Sequence, residues 1–408
     1  MSAPSIPRVL AVMPRVIPST VIGAIKPLTA LHRQKQINLN LTLEYLVAYR
    51  QVVAADVVVF CRNVEAAHAN VLRWARELGK PIIYELDDDL LDLPAAVEAS
   101  QAHRDPNRAR QLREYLASAN LVRVYSERLR EKIATINPSV TRIDGPVDWT
   151  LIPHEPSQKN SDRIRIVYAT SRIVDDLANI FADDVLRVLD EFPDQVELTL
   201  WGCRPEKLVD HPAVRARAFV TNYDRFFSQF ARAGFDIGLA PLLNDPFYLA
   251  KSNNKFREYA ACRIAGVYSD VAVYDCVQNG VTGLRVPNER GAWFDALARL
   301  IRDADRRARI QNQAQMFARA HYDQEKFARV WLEQINAVKM QAPRQASVPG
   351  ASVAAREHAW IKLAMRVPRL AIRFAQSMRA RGARRSLEMA RWTLNDLSIF
   401  SWKWLGHG

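Results

Sequence analysis

Between Ala250 and Asp270 the chain reads AKSNNKFREYAACRIAGVYSD, and four side chains near its start have types and a spacing that could do chemistry. Lys251 and Lys255 flank the first turn of a helix that Ser252 would N-cap. Free backbone N–H groups and the positive end of the helix dipole favour an anion there, and phosphate is the obvious one. Glu258 lies about two turns in, one turn beyond Lys255, and can accept paired hydrogen bonds from a vicinal diol such as a ribose 2′,3′ pair. Cations for a diphosphate and a carboxylate for a ribose together describe a nucleotide site. The same residues also fit a surface helix with an i, i+3 Lys255/Glu258 pair worth about 0.2–0.5 kcal/mol. Spacing alone favours that simpler reading.

The surrounding pattern must position these groups. Phe256, Tyr259 and Ala260 recur at helical spacing and Gly266 breaks the run before Val267 and Tyr268, so the stretch reads as loop, helix, turn, strand. Residues 8–13 read as a first buried strand, followed by a Pro-interrupted loop, PRVIPST, that puts Arg15, Ser19 and Thr20 among the ligand candidates. Leu41 to Tyr49 reads as helix, 56–61 as strand, 65–78 as helix and 81–86 as strand, an alternation that means a parallel sheet with crossover helices. Residues 98–118 follow as a charged helix and Leu121 to Ser126 as a strand. Pro153 to Ser161 is polar and Pro-containing, the natural linker, with Asp148 as a turn residue before it. A second alternating unit begins at Arg165 and continues through helix 175–191, strand 196–201, helix 223–234 and strand 236–241. Gly280 and Gly283 suit tight turns of positive φ, and helices 291–302, 305–320 and 324–339 close the domain.

From Asp236 to Val286 the order DIGLAPL, KSNNKFREYAA, GVYSD, NGVTGLRV resembles the C-terminal half of GT-B glycosyltransferases, most closely family 4-like enzymes of bacterial surface polysaccharide assembly. Weaker similarity extends over about residues 56–335. The resemblance implies two Rossmann-like, doubly wound domains facing across a cleft: an acceptor domain at 1–155, a sugar-nucleotide domain at 156–340, and a linker and basic tail at 341–408. It implies that Glu258 holds the ribose and that Lys251, Ser252, Lys255, Ser171 and Arg172 hold the diphosphate. It also implies base contacts through backbone near Val220 to Tyr223, and a C-terminal helix that returns to brace the other lobe. Many retaining members carry two glutamates separated by seven residues; the position of the first is Ala250, and Asp245 is out of register.

Strand 81–86 runs into Asp87, Asp88 and Asp89. Adjacent carboxylates must be solvated, paired or metal-bound. As D-x-D they suggest the metal motif of the other large glycosyltransferase fold. In a GT-B enzyme they would sit at a strand end facing the acceptor, with Asp87 or Asp88 as base; a solvated loop capping the next helix fits equally.

The net charge is +13. From Arg344 onward twelve Lys or Arg stand against three acids, so the tail holds most of that excess. In it Trp360, Leu363, Val367, Leu370, Phe374 and Met378 project onto one helical face and Lys362, Arg366, Arg369 and Arg373 onto the opposite one, with Pro368 as a kink. A basic amphipathic helix of this kind suits an anionic membrane surface through residues 356–405, and equally a tail that packs against its own body or a partner. Apolar and basic residues segregate rather than interleave, so nucleic acid is not expected. The four cysteines, Cys61, Cys203, Cys262 and Cys276, have no metal-ligand spacing and suit a reduced, cytoplasmic setting, and the tail adds a peripheral place on the inner face of the plasma membrane. No run reaches transmembrane length, and no histidine has a partner at a telling spacing.

The expectation is therefore a glycosyltransferase taking a nucleoside-diphosphate sugar as donor and a saccharide or lipid-linked saccharide as acceptor, with no tightly bound cofactor and no metal. The rivals are a sugar-nucleotide epimerase on the same fold and a non-catalytic scaffold with a membrane- or RNA-binding tail.

Overall fold

The structure is a computed structural model that describes residues 5–93, 105–153, 162–170 and 176–341. The described residues fall into two compact units. The first holds residues up to Tyr125, Arg130–Ile143 and those from Ala328 on; the second holds Ser126–Leu129 and Asp144–Phe327.

Each unit is built on a six-stranded sheet in which every pairing is parallel. In the first, β1 (Arg8–Met13), β2 (Asn38–Leu43), β3 (Val57–Cys61), β4 (Ile82–Leu86), β5 (Leu121–Val124) and β6 (Val140–Arg142) take the order β2-β1-β3-β4-β5-β6. In the second, β7 (Ile164–Ala169), β8 (Val196–Trp201), β9 (Val214–Arg217), β10 (Ile237–Ala240), β11 (Ala265–Ser269) and β12 (Leu284–Val286) take the order β12-β11-β10-β7-β8-β9. Both orders reverse direction once, between β1 and β3 and between β7 and β10, which is the doubly wound, Rossmann-like topology expected from the alternation.

Burial on both faces explains the near-continuous apolar strands. In the second unit, Ile166, Leu198, Leu200, Ile237, Leu239 and Val267 face one core, shared with the helices Ala182–Glu191 and Ala292–Arg302. Val167, Ala169, Trp201, Ala240 and Tyr268 face the other, shared with Tyr223–Arg232, Asn254–Ala261 and Ala304–His321. Alternate residues of one strand thus serve opposite cores.

Three expectations need correction. Leu41 to Tyr49 is not one helix: its first residues belong to β2, which the N-L-N-L-T-L alternation encodes, Glu44–Leu46 forms a single 3-10 turn, and α-helix begins only at Tyr49. The loop after β1 stops at Ile17, because Pro18 opens a helical segment whose fixed φ suits a first turn. Thr20 there is fully buried, donating to the carbonyls of Arg15 and Ile17. Gly280 has φ +78, whereas Gly283 is not in that region; a Cβ on Gly283 would lie 2.7 Å from the Tyr268 ring, so close packing is what requires it.

Candidate functional site

The switch between β7 and β10 sets the carboxyl ends of two central strands of the second sheet side by side, where ligands of such sheets bind. β7 ends at Ala169 and is followed by Thr170, the residue before Ser171 and Arg172, which lie outside the described residues. β10 ends at Ala240 and leads through Pro241 into the Lys251–Glu258 stretch. The intervening loop is pinned: Leu242 N–H donates to Ser269 Oγ at 2.8 Å, and Asn288 Nδ2 donates to Leu242 O at 2.7 Å. Asp245 caps the short helix Pro246–Leu249 by accepting from Phe247 N–H at 2.9 Å, so it is committed to the backbone.

The site helix runs Asn254–Ala261, and its N-cap is Asn253, one residue later than the Ser252 expected from the sequence. Ser252 is half-buried just ahead of it. The Asn253 side chain does not cap the first turn. It bridges tertiary partners instead, donating to Tyr322 Oη at 3.0 Å and Cys276 Sγ at 3.3 Å and accepting from Arg257 Nε at 3.1 Å. Arg257 also donates to Pro146 O at 2.9 Å, and a Cβ on Gly145 would collide with its guanidinium. On the sheet side a Cβ on Gly238 would lie 2.5 Å from the Tyr259 ring, whose hydroxyl donates to Leu239 O at 2.8 Å. The helix is therefore held from both sides by close contacts.

Lys255 Nζ donates to Glu258 Oε2 at 2.8 Å, so the i, i+3 pair exists. It is not the surface pair that spacing suggests, because Glu258 is only 8% exposed. Withdrawing a carboxylate this far costs several kcal/mol of desolvation unless its lone pairs are satisfied. Its other oxygen, Oε1, accepts a long hydrogen bond from Tyr223 Oη at 3.5 Å. Burial, and then the Glu258 charge, push the Tyr223 hydroxyl well above its ordinary pKa, so it stays protonated and donates. The Lys251 ammonium lies 4.4 Å over the Phe247 ring. Ala250 is buried.

In the first unit the three aspartates go separate ways. Asp87 pairs with Arg62, a residue at φ +59. Burial lowers the Arg62 pKa, but Asp87 and Asp88 outweigh it and raise it. Asp88 is half-buried. Asp89 is buried, 2.5 Å from Lys132 Nζ, and accepts from Leu91 N–H at 3.1 Å. Among the described residues no three His, Cys, Asp or Glu side chains converge as metal ligands.

Sequence reading missed two features. One is Tyr223, read only for its backbone. The other is Glu85, buried in β4 and paired in register with Arg123 of β5. Arg123 Nε lies 3.6 Å from Glu85 Oε2, and the Tyr125 hydroxyl donates to Oε1. Burial pushes the Glu85 carboxyl up to about 7, against the pull of Arg123 and Tyr125. Opposite charges inside two apolar strands, IIYEL and LVRV, were the available signal.

Solved structures share this architecture. HepE from Anabaena, in complex with UDP-glucose, matches with TM-score 0.58 at 14% identity, over 81% of this chain and 100% of that one. A sucrose-phosphate synthase from Thermosynechococcus elongatus matches with TM-score 0.61 at 12% identity, over 82% and 100%. The fold is GT-B. A Listeria monocytogenes protein named as a candidate UDP-N-acetylglucosamine 2-epimerase has TM-score 0.54 at 10% identity, over 84% and 99%. No family model and no curated protein matches the chain. The basic tail expected to reach a membrane lies outside the described residues, and no described helix is long and apolar enough to cross one.

Proposed function

We propose that this chain is a glycosyltransferase that moves a sugar from a nucleoside-diphosphate sugar to a saccharide or lipid-linked saccharide in polysaccharide or glycan assembly, of the family 4-like, surface polysaccharide kind. The second unit takes the donor: the diphosphate among Lys251, Ser252, Lys255, Ser171 and Arg172, the ribose diol on Glu258. The observation that carries this reading is the Glu258 carboxylate, 8% exposed and bracketed by Lys255 and Tyr223, on a helix reached from the strand end beside the topological switch. An ionised carboxylate offers about four acceptor positions. Lys255 and Tyr223 engage one on each oxygen, and the second on each suits a vicinal diol. HepE, bound to UDP-glucose on the same fold, supports the donor class.

Transfer breaks the bond between the sugar and the diphosphate, and negative charge grows on the leaving group. The lysines, Arg172 and the helix terminus offset it electrostatically, a route that needs no metal. Asp87 or Asp88 of the first unit takes the acceptor proton. Calorimetry against UDP, GDP, ADP and CDP is the test. One of them is expected to bind, and Glu258→Gln to weaken it by about tenfold or more, the loss of hydrogen bonds to a charged group. Binding of none of the four would sink the reading.

Residues 356–405 are proposed to hold the enzyme on anionic lipid. Deletion of residues 345–408 should abolish flotation with phosphatidylglycerol liposomes; unchanged flotation removes the membrane, and with it the case for a lipid-linked acceptor. The epimerase likeness favours a second reading, in which donor is turned over without any acceptor. Product analysis with donor alone separates the two.

A further inference from the structure

We propose that Tyr223 is a positioning residue that sets the Glu258 carboxylate for the donor ribose. The proposal rests on Glu258 holding that ribose. Tyr223 is the first residue of the Tyr223–Arg232 helix, whose N-cap Asn222 accepts from Arg225 N–H at 2.9 Å. Its ring stacks on Phe227 with centroids 5.6 Å apart and planes 13° apart. One turn on, Phe230 of the same helix face stacks on Tyr259 at 6.0 Å and 17°. Tyr259 is the neighbour of Glu258 on the site helix. An aromatic layer therefore ties the element that carries the hydroxyl to the element that carries the carboxylate, and both groups stand on helices packed against the second sheet. Sites built on such elements hold their geometry better than sites on loops.

The two brackets do different work. Lys255 belongs to the same helix as Glu258, three residues earlier, and moves with it. Tyr223 comes from another element and limits how the carboxylate turns about its own stem. The 3.5 Å separation leaves Oε1 able to accept a second donor, and a bound diol would draw the three groups closer.

The test uses the full chain. Wild type, Tyr223→Phe and Glu258→Gln are compared for the tightest of UDP, GDP, ADP and CDP and for its 2′-deoxy form. Wild type should prefer the ribose form by about tenfold. Y223F keeps the ring on Phe227 and loses only the hydroxyl. It should cut that preference to about threefold or less, with affinity for the deoxy form and the melting temperature unchanged. A full ribose preference in Y223F, whether or not its melting temperature falls, makes the contact structural and overturns the proposal, while E258Q still losing its preference leaves the donor site standing. If E258Q keeps the preference, the donor reading itself fails and Tyr223 has nothing to position.

Discussion

Glu258 and Glu85 are both buried carboxylates, and they stand in different surroundings. Glu258 is bracketed by an ammonium and a hydroxyl at a strand-end site. Glu85 is enclosed by Arg123, Tyr125 and the backbone at Gly23, where a Cβ would collide with its carboxylate. Burial holds the Glu85 carboxyl at about 7, above the ordinary 4.5 it would have unfolded. The folded chain therefore binds more protons than the unfolded chain between these values, and stability falls as pH rises through that window. Glu85→Gln should remove this slope whatever its overall offset. Urea unfolding of both forms between pH 4.5 and 8 checks it, and parallel pH profiles would count against it.

At the scale of elements, the site helix is set by a glycine. Gly238 in β10 leaves room for the Tyr259 ring, and Tyr259 in turn fixes the helix that carries Lys255 and Glu258. Gly238→Ala should cost about 1–3 kcal/mol through overpacking. It should also weaken nucleotide binding, since the helix must shift. Calorimetric melting together with nucleotide titration reads both effects. Arg257 braces the other side, on Pro146 and Asn253. Neither brace was legible beforehand: the glycine reads as a weak strand residue and the arginine as one more surface charge, until tertiary packing brings Tyr259 and Gly145 against them.

Over the whole molecule, the chain from Ala328 on belongs with the first unit although it follows the second in sequence. Trp331 makes that attachment. It is fully buried, its indole N–H donates to Gly23 O at 2.8 Å, and the Arg123 guanidinium lies 3.6 Å over its ring. Trp331→Ala should destabilise the first unit by about 3–5 kcal/mol. A separate, earlier unfolding transition in calorimetry is the expected sign, and an unchanged thermogram would refute it.

The alternation of apolar strands and amphipathic helices was enough to specify two Rossmann-like sheets, because burial on both faces and a helical period of 3.6 are local properties written into each segment. Residue order likewise singled out Lys251, Lys255 and Glu258. Only the tertiary structure decided that the Lys255/Glu258 pair is buried rather than solvated, that Tyr223 meets it, and that Glu85 and Arg123 share one pocket. Those facts depend on partners 35, 38 or more positions away, and no local pattern reports which distant side chain will share a lone pair.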